Sequence, residues 1–215
     1  MTYVNAFVNA GFKKDSLMSD KKTPWIHKVK NEGIIAAVAS IGSTHLWNSA
    51  SGSNEISEYL ELTDIYTKAG ACIGVGVCCT GLVDDSDPAL ALLSDLINDK
   101  EFFLFYFILI FKIIYIIKKN RELVRTNAVM GLGIAYAGSA REDLLDLLIP
   151  IVVDTTISVE LSAMAALSLG LIFVGKCTEE VTNAILETLT ERPENILDIS
   201  IARFFSLGMG LLFLG

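Results

Sequence analysis

An all-α array of helix-pair repeats is the fold class this sequence predicts. Three observations carry it: a glycine pattern that returns five times, amphipathic segments between its copies, and a regular period that fails at a single interval. The chain has 215 residues, 52% of them apolar, which exceeds the usual globular share and is enough for one sizeable core or a short array.

The pattern is a small residue, two others, Gly, one other, Gly, four others, Gly. Ala71-Cys-Ile-Gly74-Val-Gly76-Val-Cys-Cys-Thr-Gly81 and Ala128-Val-Met-Gly131-Leu-Gly133-Ile-Ala-Tyr-Ala-Gly138 match it at every position. A third copy reads Ala165, Ser168, Gly170, Gly175, a fourth reads Phe205, Gly208, Gly210, Gly215, and a degenerate first copy reads Ala37, Ser40, Gly42, Trp47. The middle small residues fall at 42, 76, 133, 170 and 210, so the spacings are 34, 57, 37 and 40.

The long interval contains Glu101 to Arg121, with five of the chain's eleven phenylalanines. Removing those residues turns 57 into 36, which identifies them as a hydrophobic insertion within a single repeat domain spanning 1–215. Its longest uncharged stretch, Phe102 to Phe111, is ten residues, and its apolar part to Ile117 is sixteen with Lys112 inside. At 1.5 Å per residue this is about 24 Å, short of a hydrocarbon core of roughly 30 Å, and argues against a membrane span. Phe, Ile, Tyr, Lys and Asn are residues of AT-rich codons, so translated non-coding sequence is the preferred account. A single-span membrane protein with a small helical domain is the alternative.

Each period reads as two helices. The first carries the glycines, as in LVRTNAVMGLGIAYAG and SVELSAMAALSLGLIFVG. The second is amphipathic, as in DPALALLSDLI, REDLLDLLIP and EEVTNAILETLTE. Asp87 before Pro88 reads as an N-cap with proline at the first helical position, and Ser139 with Glu142 has capping-box spacing. Gly81, Gly138 and Gly175 stand where a helix would stop in a left-handed residue. Interior glycine costs about 1 kcal/mol relative to alanine, so Gly131 and Gly133 need an offset. They differ by about 200° around a helix, so close packing on two opposite faces supplies one, which suits an inner helix in a stack. A phosphate-cradling loop would need a strand ahead of tighter glycine spacing.

The formal net charge is −8, and −11 without the insertion's +3, which disfavours nucleic acid and suits basic partners. Cys72, Cys78, Cys79 and Cys177 show no CxxC spacing and read as reduced, buried thiols. His27 and His45 lack the partners of a zinc site, and Asp84-Asp85-Ser-Asp87 lacks the glycine and terminal glutamate of a calcium loop. No catalytic residue, metal site or cofactor is therefore assigned, and the chain is read as a non-enzyme. The candidate binding residues are acidic. Glu180, Glu187 and Glu191, related by i, i+7 and i+11, stay within about 20° of one line opposite Val181, Ile185 and Leu189. Glu142, Asp143 and Asp146 lie opposite Leu144, Leu147 and Leu148 on the preceding outer helix. Such stripes are commonly only solvated faces; two in adjacent repeats favour a basic protein partner.

IIAAVASIGSTHLW, KAGACIGVGVCCTGLVDDSDPALALLSD, GLGIAYAGSAREDLLDLLIP and SVELSAMAALSLGLIFVGKCTEEVTNAIL resemble the proteasome/cyclosome-repeat scaffolds in the base of the 26S proteasome regulatory particle. The likeness extends to YVNAFVNAGFKKDSLMSD and RFFSLGMGLLFLG, covers nearly everything outside Glu101 to Arg121, and in GLGIAYAGSARED favours the large non-ATPase scaffold over its sibling or a cyclosome subunit. The resemblance implies an α-solenoid closed into a toroid, with glycine-rich helices inside and amphipathic ones outside. This chain would be a fragment of it, an incomplete ring. It also implies a cytoplasmic and nuclear scaffold that contacts the base ATPase subunits and docks ubiquitin, the ubiquitin-like domains of shuttle receptors and a deubiquitinase. The family's three docking acids fall on Glu180, Glu187 and Glu191, with glutamate replacing aspartate at 180 and 187; Glu142 and Asp146 are the neighbouring candidates. End repeats without polar caps would expose Phe204, Phe205, Leu211 and Phe213.

Overall fold

The computed structural model describes residues 2–15, 17–18, 25–83, 85–98 and 110–215, and among them every regular element is helical. In chain order these are α1 (Thr2–Val8), a 3-10 turn (Trp25–Lys28), α2 (Glu32–Thr44), α3 (Ser49–Leu60), α4 (Ile65–Cys78), α5 (Pro88–Ile97), α6 (Ile110–Ala135), α7 (Asp143–Val153), α8 (Val159–Ile172), α9 (Glu179–Glu191), α10 (Glu194–Leu197), a 3-10 turn (Ser200–Ala202) and α11 (Arg203–Leu212).

The five helices that carry the repeated glycine pattern, α2, α4, α6, α8 and α11, form one row in which each packs on the next. Missing side chains make this closeness possible. A Cβ at Gly42 would lie 2.1 Å from the Gly74 carbonyl oxygen, one at Gly76 2.3 Å from that of Gly131, and one at Gly170 2.5 Å from that of Gly208. The two glycines of α6 face opposite neighbours, as their 200° separation requires. A Cβ at Gly131 would lie 2.4 Å from the Cys72 carbonyl oxygen of α4, and one at Gly133 2.6 Å from the Ser168 hydroxyl of α8. Where serine replaces glycine, at Ser168, its hydroxyl donates to the Val129 carbonyl 3.0 Å away, so the extra atom is hydrogen-bonded across the crossing. A Cβ at Gly210 of α11, at the end of the row, would meet nothing within 4 Å.

The outer helices are offset by one unit. α3 packs chiefly on α4, α5 on α6 and α7 on α8, so the outer helix of one pair covers the inner helix of the next. Leu93 and Ile97 of α5, Leu132 of α6, Leu144 and Leu148 of α7, and Leu161 and Leu169 of α8 are fully buried in the resulting shared core. No pair owns a core of its own, which is the expected behaviour of a stacked repeat.

The turns that follow the inner helices tie the row together along one rim. Gly138 and Ala140 donate to the carbonyls of Leu171 and Ile172, and Gly175 and Cys177 donate to those of Leu211 and Leu212, at 2.9–3.0 Å. Each turn therefore satisfies carbonyls at the C-terminus of the next inner helix, groups that a helix leaves without intrahelical donors. Gly138 and Gly175 adopt the left-handed conformation expected of them, with φ of 74° and 70°. Within these same two turns Ala140 and Cys177, though not glycine, also have positive φ. The same pair of bonds joins Gly11 and Lys13 to Ser43 and Thr44, which makes α1 the inner helix of an additional repeat that the glycine pattern does not reveal.

Several sequence expectations are corrected. Asp87 occupies the N-cap position of α5, but its φ is 44° and its side chain makes no cap hydrogen bond. The Ser139–Glu142 capping box does not form, because α7 begins at Asp143 with Glu142 itself at the cap position. Phe205 is fully buried, and at that end Leu207, Phe213 and Leu214 are the exposed apolar residues. Cys177 is exposed, unlike the other three cysteines.

Residues 101–109 of the phenylalanine-rich run and Asp84 lie outside the described residues, as does the side chain of His27. The rest of the run is the start of α6, whose 26 residues compare with 14 each in α4 and α8. Glu122–Ala135 alone has the length of those helices, and the preceding part extends beyond them by about 18 Å. No described helix is long and apolar enough to cross a membrane.

Candidate functional site

Helix α9 is seated by its apolar side and by two polar anchors. Val181, Ala184 and Ile185 are buried. The Thr188 hydroxyl donates to the Val152 carbonyl of α7 at 2.9 Å, and the buried Ser162 hydroxyl of α8 donates to that same carbonyl at 2.7 Å. Arg192, directly after the helix, is 6% exposed and donates to the carbonyls of Asp154 at 2.7 Å and Ile157 at 3.3 Å. Burial lowers its pKa against the opposing attraction of Asp154. These contacts clamp the C-terminal end of α9 to the α7–α8 connection, so the outward face of α9 is presented on a fixed element.

That outward face carries Glu180, Glu187 and Glu191, all exposed, with Leu189 half-buried on the opposite side. The helical rise separates Glu180 from Glu187 by about 10 Å and from Glu191 by about 16 Å. Glu142 and Asp146 are exposed on α7. The structure brings them together with Glu180 at a groove of about 640 Å³, which Leu145, Phe173 and Lys176 also line. Glu187 and Glu191 lie further along α9 and do not line it. The acids thus form a continuous band from the α7 side of the groove to the far end of α9. Lys176 is the cation within it, and sequence reading passed over it.

The band stays negative partly because the nearest arginine is occupied. Arg141 contacts Asp87 and Asp143, each at 2.5 Å. It also lies over the Tyr136 ring, 4.8 Å from its centroid. The Tyr136 hydroxyl donates to Asp87 and accepts from the Leu90 backbone N–H at 3.0 Å. The Arg141 hydrogen bond holds the Asp143 carboxyl below its ordinary value, and burial first, then Asp87, pushes the Tyr136 hydroxyl up. Asp87 is therefore a staple between repeats, and Glu142 and Asp146 are left free of Arg141.

Among the described residues no group of three or more histidine, cysteine, aspartate or glutamate side chains is placed to hold a metal ion. His45 Nε2 lies 3.0 Å from Glu55, so that histidine does have an acidic neighbour, contrary to expectation, but no third member joins them. Burial pushes the Cys72 thiol up to about 12, the opposite of what an activated nucleophile requires.

The proteasome/cyclosome repeat family matches residues 127–161, which run from α6 into α8. Over 216 aligned residues the chain is 41% identical to the 26S proteasome regulatory subunit rpn-1 of Neurospora crassa, an alignment covering 99% of this chain and 22% of that protein. It is 44% identical to the rpn1 subunit of Schizosaccharomyces pombe, covering 100% and 22%. It is 37% identical to the 26S proteasome non-ATPase regulatory subunit 2 of Dictyostelium discoideum, again covering 100% and 22%. The chain thus spans about a fifth of the length of these relatives. With the repeat, the stacked helices and this similarity in hand, the chain belongs to the proteasome/cyclosome-repeat family of 26S proteasome regulatory subunits.

Proposed function

We propose that this chain is part of a non-catalytic scaffold of the 26S proteasome base, acting in the cytoplasm and nucleus, and that its acidic band docks ubiquitin and ubiquitin-like domains. Contacts with the base ATPase subunits and with a deubiquitinase belong to the same reading. The observation that carries it is the exposed line of Glu180, Glu187 and Glu191 on a helix held rigidly from behind by Thr188 and Arg192. A carboxylate band on a fixed helix suits a partner that offers basic residues around an apolar centre, and the net charge of −8 adds long-range attraction for such a partner. The names of the whole-length relatives favour the large non-ATPase scaffold over its sibling.

The test is a titration of ubiquitin against the wild-type chain and against Glu180→Arg/Glu187→Arg/Glu191→Arg, with circular dichroism as the fold control. Wild-type binding should weaken as ionic strength passes the range where the Debye length is about 8 Å, and the triple reversal should abolish it. Glu142→Arg/Asp146→Arg should weaken binding less. Binding that survives the triple reversal at low salt would return the band to a merely solvated face.

A further inference from the structure

A second pocket, on the rim opposite the glycine turns, has the reverse chemistry. It is a cavity of about 350 Å³ where the start of α4, the end of α5 and the middle of α6 meet. Lys68, Arg121 and Arg125 line it beside the apolar side chains of Ile65, Leu96 and Val124, and among the described residues no carboxylate lines it. Three cations converge here in a chain whose net charge is −8.

None of the three forms an ion pair within 4.0 Å among the described residues. Two acids lie close in sequence. Glu122, between Arg121 and Arg125, neither pairs with them within 4.0 Å nor lines the pocket. Asp64 is committed elsewhere, its carboxylate accepting from the Thr67 backbone N–H at 2.8 Å and the Thr67 hydroxyl at 2.6 Å as the cap of α4. Asp154 senses Arg125 electrostatically without pairing with it. Arg125 is held by a 3.0 Å hydrogen bond from Nε to the Ile97 carbonyl, which fixes the guanidinium at the pocket wall, and its two terminal nitrogens make no hydrogen bond among the described residues. Converging like charges oppose folding unless something offsets them, and an anionic ligand would do so here.

We propose that this pocket docks an acidic-apolar peptide segment of a partner protein, with carboxylates on Lys68, Arg121 and Arg125 and an apolar side chain on Ile65, Leu96 and Val124. The charge complementarity selects the carboxylates, and the apolar floor selects a peptide over a simple anion. The volume falls at the lower end of the range for ligand pockets, about 300–1,000 Å³, and admits one or two side chains. This site is independent of the α7–α9 band and takes a ligand of opposite charge.

The experiment titrates the 215-residue chain with a fluorescent octapeptide that alternates glutamate with leucine, and with a control in which serine replaces each leucine. Lys68→Gln should weaken the leucine peptide by about fivefold, the upper range for one partly exposed charge, and Lys68→Gln/Arg121→Gln by more. Lys68→Arg should keep most of the affinity, and the serine control should bind at least about fivefold more weakly, as one buried apolar side chain is worth 1 kcal/mol or more. None of these three variants alters the Arg125–Ile97 bond, and unchanged melting curves would confirm the fold. Equal binding by all variants overturns the assignment. So does equal affinity for the serine peptide, or full displacement by millimolar inorganic phosphate, since either would make this a simple anion site. A dimer that dissociates in Lys68→Gln/Arg121→Gln would replace the peptide with a second copy of this chain.

Discussion

The glycine stack makes a prediction whose sign differs between two chemically identical substitutions. Alanine is better than glycine in a helix interior by about 1 kcal/mol, so on propensity alone Gly131→Ala and Gly210→Ala should both stabilise. At Gly131 the new Cβ would stand 2.4 Å from the Cys72 carbonyl oxygen and 3.0 Å from Leu93 Cδ1. The first obstacle is the backbone of α4, which cannot rotate away as a side chain can. Helices α4 and α6 must then separate by roughly 1 Å to restore ordinary contact, loosening dispersion along the whole crossing, and such overpacking costs about 1–3 kcal/mol or more. Because the obstacle is a backbone carbonyl the upper end of that range applies, and less the gain of about 1 kcal/mol the net expectation is a loss of about 2 kcal/mol. At Gly210 a Cβ meets nothing within 4 Å, so the gain of up to about 1 kcal/mol stands unopposed. Urea unfolding of the 215-residue chain, followed by helical circular dichroism, measures both. A neutral or stabilising Gly131→Ala would show that the inner helices do not approach as closely as described.

Three further outcomes follow from particular contacts. Cys177 holds φ of 49° on an exposed turn, so Cys177→Gly should raise the melting temperature, relieving about 1–2 kcal/mol of left-handed strain less the entropy cost of glycine. Arg141→Ala should destabilise the chain at neutral pH. Because Arg141 holds the folded pKa of Asp143 below its ordinary value, this contribution is present above about pH 4 and is lost as pH falls through the lowered value. The gap between wild type and variant in unfolding midpoint should therefore close in acid, and a constant gap would mean Arg141 acts by packing alone. Deleting residues 101–121 should leave an inner helix of ordinary length and improve solubility and cooperativity, while the loss of Arg121 weakens peptide docking between α4 and α6; poorer solubility would mean the segment packs into the fold.

The row of inner helices was legible because its signal is local and costly. A glycine pair inside a helix persists only where backbones approach, so Gly131 and Gly133 announced both faces of α6. The same logic hid α1, which has lost the paired glycines and keeps only Gly11 of the turn. Its membership shows in hydrogen bonds to Ser43 and Thr44, which lie across the stack. Asp87 does stand at the N-cap of α5 ahead of Pro88, but the use of its carboxylate was hidden for a related reason. Asp-Pro before an apolar run looks like a cap, while the partners that use the carboxylate, Tyr136 and Arg141, are 49 and 54 residues away. Periodicity placed Glu180, Glu187 and Glu191 on one exposed line, since burial of Val181 and Ile185 fixes the rotation of α9. It could not reveal that Glu180 shares a groove with Glu142, Asp146 and Lys176, because that depends on which repeat lies alongside. The one-unit offset of the outer helices was equally hidden: an apolar face says that something covers it and not which neighbour does.

The docking of ubiquitin on α9 is most directly tested by compensating charge reversal. Ubiquitin with its basic surface residues changed to glutamate should fail to bind the wild-type chain. It should recover binding to Glu180→Arg/Glu187→Arg/Glu191→Arg, which in turn should no longer bind ordinary ubiquitin. Such recovery requires the two surfaces to lie against each other, because distant effects on folding or net charge do not restore a specific pair. A reversed ubiquitin that binds neither protein, while ordinary ubiquitin still binds the triple variant, would contradict the account and place the interaction away from this helix.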